Sequence, residues 1–443
     1  MGRWYTVAVV AALASCAGDK DDTTIEPLDD GDADTDADAD SDTDTDSDAD
    51  TDPTTPELCG LVAIPADAVD VALTDDLAAA VAAAAPGATL ALADGIYAVT
   101  GPLRLTQPIT LVSRSQSPDA VTIDGGRVGG DLIEVTGSDV VLAHLTLANS
   151  VDHLVHVAPA SGDLTGVKVH DVHLVDAGHA GVRIEGAGPY ADDGEVSCST
   201  IELTDAGRSY AGSQCAVGGI EAEGARGWTV RDNHLVGFFC PFGQSGAGIR
   251  FWRGSRDTVI TRNQLNDVSI GIVAGETQDQ IGRTYPDAPC GPAIVQSIGA
   301  TVTNNIVAAY RDDLVDSDRG IVVGIRAESS CDLLMVHNSV FAVAEPSSSS
   351  IEHRFAATTG SVGNNLMSHV IRRLDDSAAD DVQNLENVTF DTWFFPAQGD
   401  FHTAPAATWA IDQGSTEFLD RVPDDVDAEP RSDGLPDVGA DER

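Results

Sequence analysis

The chain has 443 residues, with 72 acidic and 24 basic side chains, a formal charge of −48 and a calculated isoelectric point near 4.1. Such a charge repels phosphate backbones and excludes ordinary nucleic-acid binding. The chain is 42% apolar but holds only 11 Phe, 6 Tyr and 5 Trp, so small aliphatic side chains must form most of its core.

The first residues have the pattern of an export signal. Arg3 precedes an apolar run over residues 7–13, which is shorter than the roughly 20 residues that span a bilayer. The run ends at Leu13-Ala14-Ser15-Cys16, which resembles the lipobox of bacterial lipoproteins. The resemblance implies a signal peptide over 1–15, a diacylated Cys16 and, because Ala17 follows, an outer-membrane or cell-surface location. The alternative is an ordinary secretory signal. The only membrane contact expected is the lipid anchor.

Residues 16–57 are predicted to form a lipidated, disordered linker. Every second residue from Asp32 to Asp52 is Asp, eleven in all. The segment has almost nothing apolar to bury and repels itself, so it should stay extended. A calcium loop of the EF-hand type is the alternative, but the required Gly at position six and the terminal Glu are missing. Residues 58–443 are then expected to form a single folded domain.

The folded part begins with one predicted helix, Asp75 to Ala85. Thr74 can cap its first turn, and Pro86-Gly87 ends it. Beyond this point helical periodicity disappears, and short alternating strands separated by Gly, Asn and Asp take over.

These strands repeat. One aligned column has spacings of 27 to 42 residues and reads Leu145, Val172, Ile201, Asn233, Asn263, Asn305, Asn338 and Asn365. A period near 30 without helices predicts a parallel β-solenoid, in which like residues of successive coils stack about 4.8 Å apart and Asn side chains can hydrogen-bond along their own column. A sandwich would not keep one aligned column through eight units, and a propeller blade needs four strands in about 40 residues.

The two ends of the repeat region resemble the right-handed parallel β-helix proteins of the pectate-lyase-like superfamily. The N-terminal part shows the helix, Pro86-Gly87 and Asp94-Gly95-Ile96-Tyr97; the C-terminal part shows Ala410-Ile411-Asp412-Gln413-Gly414 and the stretch from Pro436 to Glu442. The resemblance spans about residues 60 to 443. It implies an all-β, right-handed parallel β-helix with a short N-terminal capping helix.

Six cysteines remain beside Cys16, which allows three disulfides in an exported chain. Loop positions suggest one bridge between Cys198 and Cys215 and another between Cys240 and Cys290. Cys331 precedes a strand and is expected to be a buried thiol.

The candidate site is a polar face formed by a second strand in each coil. Its two neighbouring columns read Arg183, Glu221, Arg250, Val273, Arg326, Glu352 and Glu185, Glu223, Trp252, Gly275, Glu328, Arg354. The stretch from Phe251 to Asp257 holds three charges and two aromatic rings in seven residues. It is flanked by the two longest insertions, 236–247 and 275–297, and long loops on a rigid scaffold commonly carry function. The alternative is a solvated ladder of ion pairs, each worth well under about 1 kcal/mol.

Two reactions suit such a face. A lyase needs a cation and a base, and Arg250 or Arg326 would have to serve as the base. A glycosidase needs two carboxylates, which Glu221 with Glu223 or Glu328 with Glu352 could supply. The motifs of polygalacturonase-like hydrolases and the calcium signature of pectate lyases are missing. Their absence weakens the hypothesis that the protein is an enzyme. The catalytic candidates are Arg250, Arg326, Glu328, Glu221, Glu352 and His353; the substrate-binding candidates are Trp252, Arg253, Arg256, Asp257, Arg183, Glu223 and Arg354.

The expected function is binding, with or without cleavage, of a polysaccharide or cell-envelope glycan by a monomeric surface protein. A non-catalytic scaffold or adhesin is the alternative. No cofactor is required, although calcium could bind weakly in one acidic loop, formed by Asp312, Asp313, Asp316 and Asp318. A neutral glycan suits the acidic body, −32 over residues 58–443, better than a polyuronate.

Overall fold

The computed structural model describes residues 59–212, 215–276, 281–291, 294–396, 399–431 and 434–443. The predicted signal peptide, the lipidation site Cys16 and the acidic linker lie outside these residues. Within the described ranges, no helix combines the length and the apolar character needed to cross a membrane.

Short strands dominate the chain. In the N-terminal half they are β1 (Val69–Val71), β2 (Ala88–Leu92), β3 (Gly95–Ala98), β4 (Leu103–Leu105), β5 (Ile109–Ser113), β6 (Val121–Asp124), β7 (Ile133–Val135), β8 (Val141–Ala148), β9 (His153–Val157), β10 (Leu164–Thr165), β11 (Lys168–Val175), β12 (Ala180–Ile184), β13 (Ala191–Asp192), β14 (Glu195–Ser197), β15 (Thr200–Glu202), β16 (Gly218–Glu223), β17 (Thr229–Arg231) and β18 (His234–Val236). They continue with β19 (Ile249–Trp252), β20 (Ser255–Arg256), β21 (Val259–Thr261), β22 (Gln264–Asn266), β23 (Ile270–Ala274), β24 (Ser297–Ile298), β25 (Thr301–Thr303), β26 (Ile306–Ala309), β27 (Val323–Glu328), β28 (Ser330–Cys331), β29 (Leu333–Val336), β30 (Ser339–Ala342), β31 (Ser349–Arg354), β32 (Thr359–Gly363), β33 (Leu366–Met367), β34 (Ile371–Leu374), β35 (Ala378–Val382), β36 (Trp393–Phe395) and β37 (Asp400–Thr403).

Helices are few and short in the described residues. They are α1 (Leu77–Ala83), α2 (Asp205–Ala211) and α3 (Asp312–Val315), with single 3₁₀ turns at Pro118–Ala120, Phe390–Thr392 and Thr416–Phe418.

The strands stack as successive coils on three parallel faces. The first face runs β1-β2-β5-β8-β11-β14-β17-β21-β25-β29-β32-β35, and the second runs β3-β6-β8-β11-β15-β18-β22-β26-β30-β33. The long strands β8 and β11 belong to both faces. The third face is a separate ten-stranded sheet, β4-β7-β9-β12-β16-β19-β23-β27-β31-β34. The predicted fold, a right-handed parallel β-helix, is confirmed.

The interior consists of stacked aliphatic columns. One of them pairs inward residues of five neighbouring strands on the first face, and each of these side chains is fully buried: Leu111, Leu142, Val169, Val196 and Val230. Because like residues stack, Val, Leu and Ile fill the narrow coil without large aromatics. The aliphatic core expected from composition is therefore present.

Helix α1 covers the N-terminal end of the coils, as predicted, but it is shorter than the expected Asp75–Ala85. Its cap is Asp76 rather than Thr74, and the Asp76 carboxylate accepts a hydrogen bond of 3.1 Å from the Ala79 amide. Leu77 and Val81 pack into the main core. The helix ends early because the backbone is already extended at Ala84, ahead of Pro86.

The predicted asparagine ladder is confirmed at the corner between the first and second faces. Each Nδ2 donates to a backbone carbonyl of the previous coil. Each Nδ2 before the last rung also donates to the Oδ1 of the Asn in the next coil, at 2.9–3.0 Å. The rungs are Asn233, Asn263, Asn305, Asn338, Asn365 and Asn384. The ladder thus pins one coil to the next at a buried turn.

The predicted column is wrong by two residues in the coil that precedes Asn233. Ile201 pairs with Leu235 on the second face, and the amide of Ser199 donates to Asn233 Oδ1 at 2.9 Å. Ser199 therefore takes the position expected for Ile201. At the other end, Asn384 adds a rung that follows Asn365 after only 19 residues, a spacing below the period of the other coils.

The residue before each ladder Asn has a left-handed backbone. Examples are Asp232, Asn304 and Asn364, with φ of 56°, 54° and 50°. Asn and Asp tolerate this conformation better than most other side chains. Polar residues before the Asn thus let the chain turn the corner without glycine.

The six described cysteines form three disulfides, in a different pairing from the one expected. Cys59 pairs with Cys198, Cys215 with Cys240, and Cys290 with Cys331. Cys331 is therefore not a free thiol. Loop positions alone did not predict these pairs because stacking brings together residues that lie 139, 25 and 41 positions apart.

The C-terminal segment folds back along the outside of the ladder corner. The antiparallel pair β36–β37 begins it, and Gly439 donates to the carbonyl of Asn364 at 2.8 Å. The buried guanidinium of Arg431 contacts Glu442 at 2.8 Å and donates to Asn304 Oδ1 at 3.1 Å. This segment contains both stretches that resembled the C-terminal end of family members.

Removing a central rung should destabilise the whole stack. Asn305→Ala leaves the buried backbone amide and Nδ2 of Asn263 without their acceptor. We expect a loss of about 2–4 kcal/mol in the free energy of unfolding, measured by urea denaturation. Asn384→Ala, at the half-buried last rung, is the control and should cost at most about half as much. Equal losses would show that the ladder is not the source of the stability.

The C-terminal segment should give the fold a pH dependence. Burial raises the pKa of Asp437 to about 6, and its Oδ2 makes no hydrogen bond to any described residue. A carboxyl with a higher pKa in the folded chain opposes folding once it ionises, so stability falls as the pH rises from about 4 to 6. Asp437→Asn should therefore stabilise by about 1–3 kcal/mol at pH 7.5 and have little effect at pH 4. Thermal unfolding at both pH values checks this, with Asp67→Asn, an exposed aspartate near the N-terminal end of the coils, as the control. A gain that is the same at both pH values would contradict the prediction.

Candidate functional site

The third face carries a continuous column of outward side chains, one from each of its ten strands. In register order this outer column is Arg104, Glu134, His156, Arg183, Glu221, Arg250, Val273, Arg326, Glu352 and Arg372. The six residues from Arg183 to Glu352 are those of the predicted column. The strand patterns around Glu134 and His156 alternate in the same way and could have extended it.

The centre of the outer column is a buried network of ion pairs. Glu221 lies 2.7 Å from Arg250 and 3.4 Å from Arg183, and its side chain is 2% exposed. Glu223 binds Arg183 and also Arg253, the latter at 2.6 Å. These pairs differ from the solvated ladder that was considered, because removing one partner would leave a buried charge unpaired.

A second network lies three strands further along. Arg326 is 3.1 Å from Glu352 and 3.7 Å from Glu328, while Arg354 is 2.6 Å from Asp375. Both glutamates also face Arg354, at 3.8 and 3.5 Å. The predicted carboxylate pair Glu328 and Glu352 is thus brought together, but between two guanidinium groups.

Trp252 is not the open stacking surface that was expected. Only 7% of it is exposed, and the guanidinium of Arg250 lies 4.0 Å from the centre of its ring. Arg183 also lies over the ring, at 5.3 Å. Its cation–π contacts support the arginines from below, so a sugar ring could not stack on the same face.

Strand geometry removes three further predicted site residues from the outer surface of the third face. His353 follows the outward Glu352 and therefore points inward, where it is fully buried and contacts Ser377 at 2.8 Å. Arg256 lies on β20, beyond the corner that ends β19, and pairs with Asp287 at 2.8 Å. Asp257 follows Arg256 in the chain and contacts it at 3.2 Å, so it also lies beyond the third face.

The four aspartates of the predicted calcium loop surround the one-turn helix α3. Asp313 is bound to Arg311 at 2.7 Å, and Asp318 accepts a hydrogen bond from the Gly243 amide at 3.2 Å. Asp312 and Asp316 lie at the start and end of the same turn. Calcium binding here stays a prediction.

Two adjacent cavities open on the third face beside Arg250. The larger, of about 270 Å³, is lined by His179, Ala216, Glu221, Gln244, Ser245, Gly246, Arg250 and Glu276. The smaller, of about 40 Å³, continues toward Arg326 and Glu328. Both long insertions contribute to the walls, as their length suggested. The Ser245 hydroxyl is buried and makes no hydrogen bond to the described part of the chain.

A histidine cluster next to these cavities was missed, because the histidines look scattered along the sequence. His153 and His156 both approach Asp131, with 2.7 Å between each Nδ1 and a carboxylate oxygen. His179, from the next coil, lies 3.3 Å from His153 Nε2. No spacing in the sequence indicated the cluster, because residues three apart in a regular strand point to opposite faces, and His153 is the first residue of β9.

The cluster is electrostatically polarised. Burial would raise the pKa of Asp131, but the two imidazoles outweigh it and hold that pKa far below its ordinary value. Partial burial opposes the charged form of His156, yet Asp131 and Glu185 raise its pKa. The pKa of His179 is lowered by partial burial and by His153. The surroundings therefore raise the pKa of His156 and lower the pKa of His179.

Comparison with known proteins gives similarity of fold only. No protein-family profile matches the chain, and no curated protein matches it significantly. An alginate lyase from Paenibacillus sp. str. FPU-7 aligns at 14% identity and a TM-score of 0.47, covering 72% of this chain and 99% of the lyase. Pectate lyase Pel9A aligns at 13% and 0.43, covering 85% and 96%. The Streptococcus pneumoniae surface protein and adhesin PfbA aligns at 12% and 0.33, covering 67% and 88%.

Proposed function

We propose that the protein binds an extracellular polysaccharide along the outer face of its third sheet. The observation that carries the proposal is the cavity of about 270 Å³ beside Arg250. It combines the hydroxyl, amide, imidazole, guanidinium and carboxylate groups of six side chains within one opening, and such groups donate to and accept from sugar hydroxyls. The Ser245 hydroxyl, which has no hydrogen-bond partner among the described residues, supplies a buried group that a ligand could satisfy.

The arrangement favours an extended ligand. The smaller cavity continues the larger one across the strands that carry Val273 and Arg326. Successive strands lie about 4.8 Å apart, so the outer column offers a regular series of polar groups in one direction. A linear polymer of polar units can use such a series, whereas a compact small molecule would use one cavity.

The charges around the larger cavity favour a neutral glycan over a polyuronate. Glu221 and Glu276 face it together with one guanidinium, that of Arg250. Arg250 contacts both carboxylates, at 2.7 and 2.5 Å, so its charge is largely compensated. A uronate would meet these carboxylates with little free positive charge to bind it.

One observation favours the alternative of a non-catalytic scaffold. The arginines of the central network contact carboxylates of the protein itself, so the face is stabilised without a ligand. Binding without cleavage is compatible with both readings. The decisive measurement is therefore retention on glycans, followed together with product formation.

The test uses the full chain on immobilised neutral glycans, pectate and alginate, with and without calcium. We expect retention on a neutral glycan that weakens about tenfold in Gln244→Ala and in Ser245→Ala, because each change removes a polar group from the cavity. Release of reducing ends would identify a hydrolase, and absorbance near 235 nm a lyase.

The control is Gln413→Ala, an exposed glutamine far along the chain from the third face. It should bind like the unchanged protein. Absence of retention on all glycans, or equal weakening in the control, would contradict the proposal and leave the scaffold as the better reading.

We also propose that the protein is held at the outer membrane or cell surface by lipid on Cys16. The support is the apolar run that ends at Leu13-Ala14-Ser15-Cys16. Two acyl chains give a firmer hold than one. Labelled palmitate should enter the unchanged protein and be lost in Cys16→Ser. Labelling that persists in this variant would contradict the anchor, whereas Cys331→Ser should label normally because it changes a cysteine of the folded domain.

A further inference from the structure

We propose that Asp131, His153 and His156 bind a divalent transition-metal ion, with Zn²⁺ as the ion to test. One ligand atom from each of these residues lies within 4.8 Å of the other two. The three residues come from neighbouring coils of the third face: Asp131 precedes β7, and both histidines belong to β9. Stacking of the coils therefore assembles the group from two separate stretches of chain.

The geometry is close to that of a bound ion. Each Asp131 oxygen is 2.7 Å from one Nδ1 atom, that of His153 or that of His156. An ion with bonds of about 2.0–2.1 Å separates tetrahedral donors by roughly 3.3 Å. Each of these two nitrogen–oxygen pairs would need to separate by about 0.6 Å to admit the ion, and all three donor atoms already lie within 4.8 Å of one another.

Each imidazole has a second group beside its other ring nitrogen, as metal-binding histidines usually do. With Nδ1 on the ion, each ring would turn its Nε2–H toward a second group. His153 Nε2 lies 3.3 Å from His179 Nδ1, and His156 Nε2 lies 3.5 Å from a Glu185 oxygen. The His156 Nε2 is buried and makes no hydrogen bond to the described residues, so fixing its proton toward Glu185 would satisfy it.

The donor set indicates the class of ion. Two imidazole nitrogens and one carboxylate suit Zn²⁺, Co²⁺ or Ni²⁺, whereas calcium requires six to eight oxygens. Three protein donors leave a fourth position for water or a ligand. The three side chains stay 14–20% exposed, so this position can open toward the third face.

A second convergent group, His402 with Asp427 and Asp441, is the weaker candidate among the described residues. It contains a single imidazole, and both of its nitrogens are already bound, to Asp400 at 2.6 Å and to Asp427 at 2.8 Å. It therefore serves as a competing site in the test.

Zinc binding by the purified full chain is measured by calorimetry after treatment with EDTA. A large excess of Mg²⁺ is present throughout, so that the aspartates of residues 32–52 are occupied. We expect about one Zn²⁺ per chain, with a dissociation constant near micromolar or below, and a rise in melting temperature on binding. Asp131→Asn and His156→Gln should each weaken binding at least about tenfold. His173→Ala, which changes a half-buried histidine that lies 3.5 Å from Glu202 on the second face, should not.

Three outcomes would overturn the site: no Zn²⁺ bound by the unchanged protein, binding that survives both substitutions, or binding removed by His402→Ala instead. Circular dichroism shows whether each variant is folded. If a variant does not fold, the unchanged chain is titrated with Co²⁺ instead. Coordination of Co²⁺ by nitrogen gives visible absorption bands, which disappear when Zn²⁺ replaces the ion. Absence of these bands counts against the site. Since no glycan is used, this result is independent of the proposed polysaccharide binding.

Discussion

The coils from Ser199 to Asn384 depend on stacking in register at one buried corner. Parallel strands alone would allow each coil to slip against the next, because their hydrogen bonds are evenly spaced along the strand. The asparagine ladder removes this freedom, since each amide bonds with the coil before it and the coil after it. From Ser199 onward, the inward aliphatic columns, the outer column of charges and the cavities beside Arg250 share that fixed register.

The sequence predicts the ladder and the outer column because both repeat the same residue type at the same place in each coil. Prediction fails where a coil departs from the repeat. Ser199 replaces Asn at one rung, so Ile201, two residues later, was aligned in its place. His353 is named as a catalytic candidate because it lies beside Glu352 and Arg354, but a strand alternates its sides at every residue, so the neighbour of an outward residue points inward.

The site was predicted less well than the fold, for a related reason. Repetition identifies a face, but chemistry at that face depends on residues that occur once. The Asp131 cluster joins a loop, one strand and the start of another, and the disulfides join residues of separate coils. Burial could not be read from the column either: Trp252 has the right position on the face, yet Arg250 covers it. Within the outer column alone, the ion pairs look solvent-exposed. Residues of the neighbouring column, such as Glu223, bind the same arginines and complete a buried network.

The bridge between Cys59 and Cys198 has a mechanical consequence. The bridge joins two cysteines 139 positions apart, so the capping helix and the early coils lie within one covalently closed loop of the chain. Tension applied to the chain ahead of Cys59 passes through the bridge to the coil that holds Cys198, so the strands from β1 to β14 bear none of it. A pull from that side cannot peel the first coils away one by one. The load must instead be resisted by the middle of the stack, where the buried ladder begins at Ser199.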